Sequence, residues 1–407
     1  DLEQMDEAVA HYQKALAIKF DYAEAYSNLG GALTKLGRLN EAVSSCRKAL
    51  TIEPYFVKAH YNLGAALKEL GMLEEAVTHC QKAIDIKPNV PEAHRNLGMA
   101  LLALGREKEG LDELEWRLQE PAYAAKLGDI AQPMWDGTAD LNGRTILLWP
   151  EQGLGDTIKW ASAISQLVAE AGHCILEVPP KLLSLFTRSF PKADAHAENK
   201  LSSSKSTEFD FHLPLGSLYR CLYPNIEPLT EAYLTPEPSR VAFWEERLTE
   251  FGPGPYIGIS WKSSLFTPIR ALNHTRIEEW SPVLANRDVV FVNLQSGDYE
   301  KDLAVAKQDL GVQVHNFDDL DLYDDLDDVA ALCKALDIVI SVDTAVAAIA
   351  SGVNTLTWIF VVSHNRVKNI RESFRGPSVL YFERNIGETW NKVFEEIAEH
   401  LRLHILG

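Results

Sequence analysis

LLWPEQGLGDTIKWASAI, residues 147–164, marks where the chain changes from one kind of structure to another. Its apolar start, within RTILLWP, predicts a short buried strand. Glycines follow at 153 and 155, then an acid, Asp156. TIKWASAISQLVAEAG then carries apolar residues at helical spacing, with Gly172 expected to close the helix. HCILEVP predicts the next strand and FDFHLPLGSL a third apolar segment. Strand, helix, strand in that order makes a βαβ unit and hence a parallel sheet. EFGPGPYIG (250–258) interrupts the pattern as an interdomain hinge would, and a second alternation follows. Strands are expected in YIGISW, DVVFVNLQ, DIVISVD and TLTWIF. Helices are expected around RIEEWSPVLA, in DDVAALCKAL capped by Asp327, in TAVAAIASG and in TWNKVFEEIAEHLRLHI. Two Rossmann-like halves facing a cleft are the simplest assembly, with ligands outside the carboxyl ends of the strands.

Upstream of this stretch the sequence repeats itself. AEAYSNLGGALTKLGRLNEAVSSCRKALTIEP, from Ala23, aligns with VKAHYNLGAALKELGMLEEAVTHCQKAIDIKP, from Val57, 34 residues later. Leu29, Leu63 and Leu97 share a column, as do Gly30, Gly64 and Gly98, and Gly37, Gly71 and Gly105. Ala42 and Ala76 form another, and Pro54 and Pro88 a last one. Small residues let paired helices approach closely, and proline stops the second helix of each pair. Residues 1–20 hold only a second helix, with Ala8, Tyr12 and Ala15 in its positions, so further repeats are expected upstream. The unit from Pro91 has Gly110 in the alanine column and no closing proline, as a terminal repeat docking onto something else would. His60/His94 and Cys46/Cys80 are also 34 apart. They read as metal ligands or, more simply, as equivalent positions of one repeat.

Composition narrows the function. The 407 residues carry a formal charge of −19, with 58 acids against 39 bases, which argues against a broad nucleic-acid surface. Five scattered cysteines without a CxxC give neither a disulfide framework nor a zinc site, and a reducing cytoplasm is the expected setting. No apolar run is of membrane-spanning length, and no signal peptide is apparent.

Four motifs lie at predicted strand ends. Gly153 and Gly155 allow positive φ or close backbone approach, and the helix behind them offers free N–H groups. Asp156 suits a general base taking a hydroxyl proton, or a helix cap. A dinucleotide turn is the other reading, with Glu177 as the ribose acid, but Ile158 stands where the third glycine belongs. ISVDTAVAAIASG (340–352) runs a strand into Asp343, Thr344 and Ala345, where small residues admit a diphosphate to backbone N–H groups. GISWKSS (258–264) delivers Lys262 to neutralise phosphate as a leaving group departs. VNLQSGD places Gln295 to bond a base or ribose. NFDDLDLYDDLDD (316–328) contains Asp319/Asp321 and Asp325/Asp327 pairs. It lacks the EF-hand spacing and reads as a solvated acidic loop.

The 34-residue period resembles the tetratricopeptide (TPR) repeat. TPR repeats followed by EQGLGDTI, SWKS, LQSGD and SVDTAVAAIA resemble bacterial TPR proteins fused to a heptosyltransferase-like, family 9, GT-B glycosyltransferase domain, and more distantly the TPR-fused O-GlcNAc transferases. The resemblance implies a multidomain chain, an all-α TPR solenoid followed by an α/β GT-B fold. Residues 1–120 would be the repeats, 121–251 an acceptor-side domain and 252–407 a nucleotide-sugar domain, its last helix packing back on the first. It implies metal-independent transfer from a nucleotide-sugar with no cofactor, and a protein or peptide in the TPR groove. By motif match Asp156 falls on the base, Thr344 and Ala345 on the diphosphate turn, and Lys262 on the phosphate-side lysine. Such enzymes often carry a His four residues after the Thr; here that position is Ala348. The alternative is a TPR interaction scaffold with a catalytically silent GT-B domain. A nucleotide dehydrogenase is the more remote reading.

Overall fold

The computed structural model describes residues 2–198, 208–263, 270–362 and 378–406. The chain forms two compact units, the first built mainly from residues up to Ala124, the second containing both β-sheets.

The first unit is all helical: α1 (Leu2–Ile18), α2 (Ala23–Lys35), α3 (Leu39–Ile52), α4 (Val57–Glu69), α5 (Leu73–Ile86), α6 (Pro91–Ala103) and α7 (Glu107–Leu114). α2 packs on α3, α4 on α5 and α6 on α7. The glycine columns have two different causes. Gly37, Gly71 and Gly105 take φ of 71°, 78° and 77° in the turns within each pair, a conformation that suits glycine. Gly30 and Gly64 sit in the helix crossings, where an added Cβ would come within 2.2 Å of Cys46 Sγ and 2.4 Å of Cys80 Sγ. In the last pair a Cβ on Gly98 would meet Gly110 O at 2.9 Å, and one on Gly110 would meet Leu102 at 2.7 Å. Glycine replaces alanine there because Leu102 fills the space. Neighbouring pairs are joined by Asn62 Nδ2 donating to Ser27 O at 2.9 Å and Asn96 Nδ2 donating to Tyr61 O at 3.2 Å.

The second unit holds two sheets. The first comprises β1 (Thr145–Trp149), β2 (His173–Val178), β3 (Ala193–Ala197) and β4 (Phe211–Pro214), in the order β3-β2-β1-β4 and parallel throughout. Leu147 lies opposite Ile175 on one side and His212 on the other. The second comprises β5 (Tyr256–Ser260), β6 (Val290–Asn293), β7 (Val314–His315), β8 (Ile338–Val342), β9 (Leu356–Val362) and β10 (Val379–Arg384), in the order β10-β9-β8-β5-β6-β7. β5 to β9 pair in parallel. The chain is therefore an all-α repeat array followed by an α/β region of two Rossmann-like sheets. In each sheet the order reverses beside its first strand, between β1 and β4 and between β5 and β8. Open α/β sheets bind ligands at such switch points.

Several expectations change. The helix after β1 is broken into Leu154–Trp160, a 3₁₀ turn at Ala161–Ala163 and Ile164–Glu170. Ser162 Oγ donates to Lys159 O at 2.7 Å, a local bond that competes with a continuous helix. Gly172 lies beyond that helix, so close to Gly143 that a Cβ would come within 2.5 Å of its Cα. Asp325, not Asp327, caps the Leu326–Ala335 helix, accepting from Asp328 N at 3.1 Å. Asp327 instead pairs with Arg188. The acidic stretch is not merely solvated. Arg247 holds Asp319 at 2.6 Å, Arg240 holds Asp328 at 2.5 Å, and Lys181 pairs with Asp324. β3, β7 and β10 were not expected; β7 has two residues, too few for any periodicity. The helix Pro238–Thr249, ahead of the expected hinge, packs on the Leu326–Ala335 helix of the second sheet.

Candidate functional site

The turn after β1 and the turn after β8 meet. Helix Leu154–Trp160 packs on helix Ala345–Gly352. At their contact a Cβ on Gly155 would lie 3.5 Å from Ala345 N and 3.6 Å from its Cα. Gly153 has φ −68° and ψ 165°, and among the described residues nothing beyond its chain neighbours lies within 4 Å of where its Cβ would be. A Cβ on Gly155 would make only ordinary van der Waals contact, and neither residue has positive φ, so the fold of the chain itself does not require glycine at either position. What sits above GLGD is thus the backbone of the second motif.

Asp156 is in the first turn of its helix, its N–H donating to Gly153 O at 3.1 Å, and its side chain is 47% exposed. Asp343 is far more enclosed, at 13%. Between them lies a residue that sequence reasoning passed over. Lys159 Nζ is 3.0 Å from Asp343 Oδ1 and 3.9 Å from Asp156 Oδ1. Its i+3 spacing from Asp156 was visible in the sequence, but nothing local pointed to Asp343. Thr344 takes the N-cap position with φ −128° and ψ −178°. Its Oγ1 lies 3.4 Å from Ser341 Oγ, and its carbonyl accepts from Ala348 N at 3.1 Å. Ala348 is fully buried.

The two other motifs are tied down. Lys262 Nζ donates to Asp302 Oδ2 at 2.6 Å, and Trp261 Nε1 donates to the same oxygen at 2.8 Å. Gln295 is 1% exposed. Its Oε1 accepts from Trp261 N at 3.0 Å and Lys262 N at 2.9 Å, and its Nε2 donates to Ser296 O at 2.9 Å. Gln295 therefore shapes the loop that carries Lys262. Lys262, Gln295 and Asp343 follow β5, β6 and β8, which are neighbours in one sheet. Glu177 is wholly buried within β2.

In the array, His60 Nε2 lies 3.0 Å from Pro54 O, and His94 Nε2 2.7 Å from Pro88 O. Both histidines hold the same inter-pair turn. Burial pushes the Cys46 and Cys80 thiols up to about 12. Among the described residues no group of three or more His, Cys, Asp or Glu is placed to hold a metal, and no helix is long and apolar enough to cross a membrane.

The repeats are matched by family models. Tetratricopeptide repeat models fit residues 23–56, 57–90 and 91–116, and a TPR repeat model fits residues 1–37. The front of the chain is a TPR array. Protein FlbA of Caulobacter vibrioides is 33% identical in an alignment 309 residues long that covers 70% of this chain and 52% of that protein. The chain thus spans about half the length of the curated relative it matches. Among solved structures, YrrB, described as a TPR protein with an unusual peptide-binding site, is 28% identical over 30% of this chain and 64% of its own, with a TM-score of 0.26. A family 9 glycosyl transferase from Veillonella parvula DSM 2008 aligns with 64% of this chain and 92% of its own, at 12% identity and a TM-score of 0.45.

Proposed function

We propose that the chain transfers a sugar from a nucleotide-sugar to an acceptor hydroxyl, with the TPR array recruiting the acceptor protein or its partner. The observation that carries this reading is the meeting of two switch-point turns, bridged by Lys159 between Asp156 and Asp343. In this scheme Asp156, the more exposed carboxylate, takes the proton of the acceptor hydroxyl as its oxygen attacks the anomeric carbon. The N–H groups at Thr344 and Ala345 receive the departing diphosphate. Lys262 adds positive charge from β5, with Gln295 holding its loop. Gly153 and Gly155 keep the acceptor turn slim. The motif resemblance adds that no metal takes part, and divides the α/β region into an acceptor side, 121–251, and a nucleotide side, 252–407. A cytoplasmic setting, where nucleotide-sugars are made, fits this chemistry.

The test is a thermal-shift screen with UDP, GDP, ADP, TDP and CMP and their sugar conjugates. A ligand at about 100 times its Kd stabilises the native state by about 2.7 kcal/mol, several degrees in a unit of this size. With the donor so identified, Asp156→Asn is expected to lower transfer by about 10²–10⁴-fold at unchanged donor binding. Full activity in that variant would remove the base assignment. A second reading is favoured by Ala348, buried where the resembling enzymes often carry His: a TPR scaffold with a silent α/β region. A screen without any shift would favour it.

A further inference from the structure

If the donor reading above holds, Asp343 creates a difficulty that the structure also answers. A carboxylate directly before Thr344 and Ala345 stands beside the place where a nucleoside diphosphate would put its charge. Like charges at close range in an enclosed turn repel strongly. Lys262, after β5, adds positive charge but stands beside Asp302, not beside Asp343. Lys159 is arranged differently. It comes from the helix after β1, its side chain is only 16% exposed, and it reaches Asp343 Oδ1 at 3.0 Å. An ion pair so enclosed returns little stability beyond the cost of its desolvation, so stability alone is a poor reason for it. Two residues before Lys159, Thr157 is fully buried with no partner for its hydroxyl among the described residues, an uncommon state for a buried polar group.

We infer that Lys159 is a second cation of the donor's diphosphate site beside Lys262, contributed by the helix after β1 and held at the donor turn by Asp343. An ammonium has three donors, so it can keep one bond to Asp343 and turn another to a phosphate oxygen. Asp343 is then the holder of the lysine, not a contact of the ligand. The bound diphosphate touches the helix after β1 and the turn after β8 at once and brings the acceptor turn carrying Asp156 into register with the leaving group.

The experiment is isothermal titration of UDP, GDP, ADP, TDP and inorganic pyrophosphate into the full chain and into Lys159→Met, Lys159→Arg and Asp343→Asn. Loss of one charge-assisted contact is expected to weaken the best nucleotide about tenfold or more in Lys159→Met. Lys159→Arg is expected to stay within a few fold. Asp343→Asn keeps an oxygen that can accept from the ammonium and so still hold it, while removing a competing anion, so it is expected to bind at least as tightly as the parent. A structural role for the pair makes the opposite prediction. Lys159→Met and Asp343→Asn break the same ion pair, so both would weaken binding together, and that result overturns the inference. Unchanged affinity in Lys159→Met overturns it too, while leaving the donor reading intact. If the parent protein binds neither a nucleotide nor pyrophosphate, the donor reading itself fails, and this assignment with it.

Discussion

The repeat array and the α/β unit use the same residue types for opposite ends. In the array a contact made once is made again 34 residues later: Gly30 on Cys46 and Gly64 on Cys80, His60 on Pro54 and His94 on Pro88. In the α/β unit the decisive contacts occur once and join distant segments: Lys159 with Asp343, Arg188 with Asp327, Arg240 with Asp328. Repetition turns long-range packing into a sequence period. Where nothing repeats, the partner of a side chain is set by the topology and leaves no local trace.

Glycine gives the sharpest test of that contrast. A Cβ on Gly64 would lie 2.4 Å from Cys80 Sγ and 3.2 Å from Ala76 O, inside a helix crossing. Gly64→Val is expected to cost about 3 kcal/mol or more through overpacking, and to lower the cooperativity of array unfolding. Gly153→Ala, at φ −68° with open space around it, is expected to change stability by no more than about 0.5 kcal/mol. Urea titrations of the two variants decide the matter. Equal losses would mean that Gly153 is structural and that its turn is not kept slim for a ligand.

The next effect tests the ties between distant segments. Asp328 accepts from Arg240 Nε at 2.7 Å and from Trp244 Nε1 at 3.0 Å. It is 13% exposed, but Arg240 is 41% exposed, so solvent screens part of the pair. Asp328→Ala is expected to cost about 1–2 kcal/mol, mainly by leaving the buried indole N–H without its acceptor. Asp328→Asn should recover much of that. If the alanine variant melts at the parent temperature, the acidic stretch is the solvated loop its composition suggests.

These cases show what could be read beforehand. The TPR array was legible because its period, turn glycines and closing prolines recur. The parallel sheets were legible from apolar runs alternating with helices. The switch-point motifs could be placed because GLGD and VDTA each follow a strong strand. The Lys159–Asp343 pair was not legible, since an i+3 lysine after an acid is an ordinary helix-surface pattern. Gln295 drew notice as a polar residue at a strand end, but only the fold turns its amide inward on Trp261 and Lys262. The acidic loop misled for the same reason, since its arginines lie on helices far away in sequence.

The smallest effect lies within the array, where its repetition is imperfect. His60 Nδ1 faces His79 Nδ1 at 3.0 Å, whereas the equivalent His94 Nδ1 faces Glu113 Oε2 at 2.5 Å. A prolyl carbonyl can only accept, so His60 Nε2 carries a proton toward Pro54 O, and its Nδ1 accepts from His79 Nδ1–H. Burial pushes His79 down to about 4, with His60, Lys82 and Arg47 adding to the effect and Glu75 opposing it; burial lowers His60 as well. A histidine lowered in the folded state is protonated first in the unfolded chain. Its contribution is therefore complete above about pH 6.5 and is lost as pH falls toward 4. The expected loss by pH 5 is about 1 kcal/mol after allowing for partial solvent contact. His79→Glu copies the last pair's arrangement into the middle one and gives a protonated His60 a partner. The drop in melting temperature between pH 7 and pH 5 should then shrink relative to the parent, with the remaining carboxylates common to both. Equal drops would show that the two histidines are held apart in solution and that the middle and last pairs are equivalent after all.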